Sequence, residues 1–363
     1  MKNSLGLAIL LASSLIADDV AVYDGYLRAG FQSQDESEFA VGGKIHVETN
    51  PVNSVSFGAS FYTTNGIDKK YNTGIAYFSS DMHSYSILGE AYIKAIFSNT
   101  EIKAGRQEID TPYAQSDDIG MVPNSFEALT FSNSSFADMT IFAGYLKKMS
   151  GVDSDRPEKF NSISDVYSIG VSYEGFEDIA LLAWYYDVDE LAKMTYLEAG
   201  IEKKFADLSF DFDFQYTNQN FESVGEVDVY GASFGIGKNG ITLSIAYDKT
   251  DSTDGQVADN FFGGGPFFVN CEHDTMSEAG ANGEAFRYGL EFDLDGYGVS
   301  GLGVGMSYFD AKGDESDINE VDFAVNYEVD DNLRFDLIYS DATDNLDSSE
   351  SFKNTRFFAN YRF

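Results

Sequence analysis

Four groups of residues have types and spacings that could do chemistry. Gly235-Ile236-Gly237-Lys238-Asn239-Gly240 matches the glycine pattern of a dinucleotide-binding turn, where a helix N-terminus would receive a pyrophosphate. Here the alternation Ile241, Leu243, Ile245, Tyr247 follows at once, so the glycines read as a tight turn into a strand. His46, His83 and His273 lack metal-ligand spacing, and Asp251 to Gly255 does not match a calcium loop. No cofactor or metal site is expected, although the acidic loops leave room for loosely held Ca²⁺. Cys271 is the single cysteine, unable to form an intramolecular disulfide, and reads as a loop residue. No nucleophile elbow accompanies the many Ser and Asp residues, so the chain is not expected to be an enzyme.

What remains is charge placed at every second position. Leu208, Phe210, Phe212, Phe214 and Tyr216 point one way while Ser209, Asp211, Asp213 and Gln215 point the other. The pattern returns around Phe286 to Phe292, Leu302 to Tyr308, Val321 to Tyr327 and Leu333 to Tyr339. Arg28, Lys44, Glu90, Lys94, Arg287, Arg334, Asp336 and Arg356 all fall opposite the apolar positions of their segments, as do Glu48, Lys103, Asp211, Asp213, Asp228, Glu291, Asp293, Asp322 and Arg362. Facing lipid at mid-depth, one such Lys or Arg would cost about 2–4 kcal/mol, so these positions are expected to face water.

The elements that must carry them are short strands. About 18 segments of about 9–11 residues can be counted, with 16 as the alternative, and each is long enough to cross ~25 Å at ~45° tilt. Tight connections such as Thr49 to Asn53, Phe97 to Thr100, Glu174 to Glu177, Phe205 to Asp207 and Val329 to Asn332 alternate with long ones at Glu108 to Ser125, Ser150 to Asp165, Asp248 to Glu284 and Asp341 to Thr355. That sorting predicts an all-β transmembrane antiparallel barrel, because in lipid a sheet must close to satisfy its backbone. A soluble secreted β-protein would also alternate, but has no reason to sort its loops. Met1 to Ala17, with Lys2 ahead of an apolar run, reads as a signal peptide, leaving residues 18–363 as one barrel domain. No later stretch approaches ~18 apolar residues. Trp184 and the tyrosines at strand ends are expected in interfacial girdles.

The final segment ends on Phe357, Ala359, Tyr361 and Phe363, an aromatic terminus like those of assembled outer-membrane barrels. The run AGRQEIDTPYAQSDDIGMVPNSFEALTF, Ala104 to Phe131, resembles the corresponding stretch of OprD-like porins of epsilonproteobacterial type, and FFGGGPFF, Phe261 to Phe268, resembles a later loop of that group. The resemblance implies an 18-stranded homotrimeric channel for small hydrophilic solutes. Its third loop, Glu108 to Ser125, would fold inward with help from the seventh, Asp248 to Glu284. On that reading Arg106, Glu108, Asp110, Asp117 and Asp118 join the inward-facing residues at a constriction, where opposed charges impose a transverse field. A barrel with an enzymatic or adhesin role is the alternative.

With 60 acidic against 23 basic residues the formal charge is −37, which excludes nucleic acid as a natural partner. It predicts weak cation selectivity and leaves outer-membrane lipid and lipopolysaccharide as the surroundings.

Overall fold

The computed structural model describes residues 20–34, 36–68, 75–314 and 316–363; the expected leader, Met1 to Ala17, lies outside them. In chain order the strands are β1 (Ala21–Ser33), β2 (Ser37–Thr49), β3 (Val55–Asp68), β4 (Tyr85–Phe97), β5 (Thr100–Gln107), β6 (Ser125–Phe136), β7 (Met139–Ser150), β8 (Asn161–Phe176) and β9 (Ile179–Val188). They continue with β10 (Ala192–Phe205), β11 (Leu208–Phe221), β12 (Gly225–Lys238), β13 (Ile241–Ser252), β14 (Glu284–Asp293), β15 (Leu302–Gly313), β16 (Ser316–Glu328), β17 (Leu333–Asp344) and β18 (Phe352–Arg362). Each pairs antiparallel with its chain neighbours, and β1 pairs with both β2 and β18, placing Arg28 across from Gly42 on one side and Asn360 on the other. The sheet is therefore closed, with 18 strands rather than 16. None of the described helices is long and apolar enough to cross a membrane; the strands cross.

The alternation read from the sequence sets the two faces. Residues opposite one another in the register share a face, so Phe212 across from Phe234 and Leu243 across from Leu290 lie outside. Asp213, across from Ser233, lies inside. Among the described residues no second sheet covers the apolar face; buried apolar clusters form where loops dock on the inner wall, such as that of Tyr113 of the third loop with Phe126 and Trp184.

Three expectations change at the rims. Strands extend into segments expected as loop: β13 reaches Ser252, β17 reaches Asp344, β8 begins at Asn161 and β18 at Phe352. The third and seventh loops accordingly span 108–124 and 253–283. Above the lipid the outer face can be polar, so the alternation that marks a strand is lost there although the ladder continues. Second, long connections do not alternate strictly with short ones, since 34–36, 189–191, 222–224 and 314–315 are brief links on the long-loop rim. Third, Trp184 is not in an outer girdle: it faces inward, 7 % exposed, across from Gly170 and Tyr196.

Candidate functional site

The third loop leaves β5 and returns to β6, yet its contacts lie on distant walls. On β1, the Arg28 guanidinium forks onto Asp118, Nη1 to Oδ1 at 2.6 Å and Nη2 to Oδ2 at 2.8 Å. It also donates to the Gly120 carbonyl at 2.6 Å and through Nε to Asn360 on β18 at 2.7 Å. On the opposite side, the Tyr113 hydroxyl meets Thr217 of β11 at 2.5 Å and accepts from Gln219 Nε2 at 3.1 Å. Thr217 itself donates to the Thr195 carbonyl, so Tyr113 is the donor in that pair. A loop anchored to both β1 and β11 of an 18-stranded ring crosses the lumen.

At the root of the loop, Glu108 accepts from Lys44 Nζ at 3.1 Å and from the Tyr62 hydroxyl. Lys44 is also 3.2 Å from Glu90, which Lys103 approaches at 3.7 Å. Deeper along the wall, Lys94 pairs with Glu48 at 2.6 Å, which also accepts from Tyr92 at 2.8 Å and Ser56 at 2.7 Å. On β17, Arg334 Nε donates to Asp336 at 2.7 Å. The basic row Arg334, Arg356, Arg28, Lys44, Lys94 and Lys103 thus occupies one arc of wall, with carboxylates against its members.

The seventh loop docks along the wall from β11 round to β18. It meets the third loop where Gln115 N donates to the Phe262 carbonyl at 2.9 Å and Phe262 N to that of Tyr113 at 3.2 Å. Gln215 on β11 accepts from Phe268 N at 2.8 Å, and Asp248 on β13 from Val269 N at 2.7 Å. Glu272 pairs with Arg356, and Glu320 accepts the backbone amides of His273 and Asp274, the latter at 2.8 Å. A capping box between Thr275 and Glu278 starts the short turn Met276–Ala279.

Two loop carboxyls are poised to hold protons near neutrality. Burial, followed by the Asp153 carboxylate beside it, pushes Asp117 up to about 7 against the pull of Arg356. Burial, then Glu278, Asp322 and Asp344, pushes Asp274 up to about 7. Among the described residues Cys271, Glu320 and Asp322 form one group that could hold a metal, their donor atoms within 4.8 Å of one another. Glu320 is already occupied by loop amides, and Asp322 accepts from Glu272 N and Ser307, both at 3.2 Å. The Cys271 thiol, pushed up to about 12 by burial and these acids, stays protonated. The group acts as a latch for the seventh loop.

Of the residues singled out in the sequence, Arg28, Lys44, Glu90, Lys94, Arg287, Arg334, Asp336 and Arg356 face inward, and Glu108, Asp110, Asp117 and Asp118 lie on the crossing loop. Arg106 does not line the lumen. It sits across from Ala91 and Glu127 on the outer face, paired with Glu127 at 3.3 Å, whose other oxygen holds Lys148 at 2.7 Å. A polar outward position is tolerated there because β5 ends one residue later, at the rim. Asp228 is likewise outward, beside Tyr230 and across from Asn218, accepting from Tyr216 at 2.8 Å and Asn218 at 2.9 Å. Tyr62, Tyr113, Asn360, Gln215 and Gln219 hold the loops in place but were not legible as site residues, since uncharged side chains on the polar face carry no distinguishing pattern.

Beneath the loops a cavity of about 720 Å³, lined by Arg287, Glu291, Arg334 and Asp336 among others, opens between β13 and β17. The family model described as outer membrane porin, OprD family, matches residues 65–362. No curated protein matches the chain. Among solved structures, Pseudomonas aeruginosa OpdK with vanillate superposes with a TM-score of 0.85 at 16 % identity, covering 95 % of this chain and 99 % of that one. A BenF-like porin from Pseudomonas fluorescens Pf-5 gives 0.83 at 15 % identity, with coverages of 95 % and 99 %. Acinetobacter baumannii OccAB3 gives 0.82 at 15 %, with 96 % and 100 %. At these identities the likeness is one of fold.

Proposed function

The chain belongs to the OprD family of outer-membrane porins, and from that premise we propose that it is a weakly cation-selective channel whose crossing third loop sets the passage for small hydrophilic solutes. Porins are integral to the outer membrane and are not an enzyme class; the rim of long loops faces the exterior and the rim of tight turns the periplasm.

The observation that carries the reading is the loop anchored at Asp118 to β1 and at Tyr113 to β11, which divides a closed barrel whose inner wall is charged. Solutes must pass the groups that hold this loop. Most of the cations there are already paired with wall or loop carboxylates, so the charge left to act on a permeant ion is the acidic excess. In bulk water one carboxylate at ~5 Å shifts a monovalent ion by about 0.8 kcal/mol, and several together bias permeation several-fold. Reversal potentials of the purified protein in planar bilayers under a salt gradient test this. A potential of the sign that favours cations is expected, and an anion-favouring one refutes it. Homotrimeric assembly, with lipopolysaccharide around the outer rim, completes the proposal; family membership supports the first, and crosslinking in native membranes tests it.

A further inference from the structure

One recess beside the docked third loop is shaped to hold more than the loop. A cavity of about 240 Å³ lies between the third loop and the inner wall from β5 to β9. Its apolar side is an aromatic row: Phe142 and Trp184 lie 5.6 Å apart and 20° from parallel, Trp184 and Tyr186 5.6 Å apart and 17° from parallel. Trp184 lies close against the wall because it crosses Gly170, where a Cβ would stand 2.4 Å from its ring atoms. The Trp184 Nε1–H is buried without an acceptor, which is costly for a donor that nothing satisfies.

The polar side is acidic. Glu101, Glu108 and Asp110 line it against a single ammonium, Lys103, whose Nζ is taken up by Glu90 at 3.7 Å and by the Tyr92 ring, 3.9 Å from its centroid. Glu108 is occupied by Lys44 and Tyr62, and Asp110 by the amide and hydroxyl of Ser116. Glu101 points inward, across from Ser132, and forms no ion pair among the described residues. An aromatic surface beside an unpaired carboxylate complements a flat ring that carries positive charge, through stacking, cation–π attraction and charge pairing together. An aromatic anion would instead meet three carboxylates.

We propose that this cavity is a side site of the channel for planar aromatic solutes bearing a protonated amine, with Phe142 and Trp184 as the stacking surface, backed by the buried Tyr186, and Glu101 as the counter-charge. The proposal rests on the channel reading, because the solute reaches the site from the lumen. Trp184 is the only tryptophan of the chain, so its emission reports this cavity alone.

The test is a fluorescence titration of the full-length protein in detergent micelles with 2-phenylethylammonium and, separately, with phenylacetate, alongside conductance of the same preparation in planar bilayers. The ammonium is expected to change Trp184 emission saturably, with half-saturation at least about five-fold lower than for phenylacetate. Glu101→Gln should leave ligand-free emission unchanged and weaken the ammonium about three- to five-fold. A flat response to the ammonium, equal response to the anion, or an unaltered Glu101→Gln titration would each overturn the side site. A preparation that conducts ions yet shows no Trp184 response rejects the side site alone, whereas loss of conductance rejects the channel reading on which it rests.

Discussion

Asp118→Asn should loosen the crossing loop and raise conductance even though it removes a negative charge. The Arg28 fork makes two hydrogen bonds to Asp118, and charge assistance makes such bonds worth about 1.5–3 kcal/mol each when sheltered. The Asp118 side chain is 46 % exposed, so water screens much of this, and the amide keeps one acceptor. The net loss is about 1 kcal/mol, a shift of about five-fold in the ratio of docked to released loop tip. Arg28→Met removes in addition the bond to the Gly120 carbonyl of the loop, leaving that acceptor and the Asp118 carboxylate without their donor, while its bond to Asn360 joins β1 to β18 and is the same in either loop state. There the loss is about 3 kcal/mol, or roughly two orders of magnitude in the same ratio. Single-channel recordings separate loop release from simple charge loss. If the carboxylate acted only on ions, Asp118→Asn would lower cation current and leave the open-channel noise alone. Release instead raises both conductance and noise, less for Asp118→Asn than for Arg28→Met. A lower, quiet current in Asp118→Asn would refute the anchoring argument.

Other outcomes follow from the same geometry. Asp117 binds its proton more tightly docked than free, so its contribution to docking is complete below about pH 4 and is lost as pH rises through about 7; conductance should fall on acidification from pH 7 to pH 5 in the wild type and fall less in Asp117→Asn, where only Asp274 of the two loop carboxyls still titrates. Lys44→Glu should move the reversal potential further toward cations, whereas Arg106→Glu, on the outer face, should leave it in place. Phe212→Lys puts an ammonium against acyl chains and should cost about 2–4 kcal/mol in urea-induced unfolding from vesicles if it lies near the midplane, while Asp213→Lys, facing water, should cost far less. Equal costs at the two positions would mean that the faces have been assigned wrongly.

The wall was legible in the sequence because its signal is periodic: lipid demands an apolar residue at every second position, and Phe210, Phe212 and Phe214 satisfy it whatever the rest of the chain does. That rule weakens wherever lipid ends. Asp228 was assigned by polarity and Arg106 by the family resemblance, yet both stand on the outer face near the rim, where a charge needs only a neighbour such as Glu127 or Tyr216. Trp184 failed for the opposite reason. An inward aromatic is allowed once a loop covers it, and Ile109, Tyr113 and Ala114 belong to the same buried cluster. The charged members of the constriction were visible one by one, but their grouping was not, since Arg28 and Asp118 are brought together by the path of a loop and not by any spacing.

The same limit explains how a chain without a dense run of arginines presents a basic row. Arg334, Arg356, Arg28, Lys44, Lys94 and Lys103 lie far apart in sequence, and ring closure between β18 and β1 makes them neighbours. Across the lumen β10, β11, β13 and β14 turn Glu198, Asp211, Asp213, Asp248 and Glu291 inward. A solute at the crossing loop therefore lies between unlike walls, and a molecule with separated charges can align where a simple ion is only attracted or repelled. Neutralising the acidic arc through Asp211→Asn and Asp213→Asn should reduce cation preference while leaving the third loop anchored, because neither residue touches it. If open-channel noise rose in that double variant as it does in Arg28→Met, the field and the anchor could not be treated as separate, and the division of labour between wall and loop would be wrong.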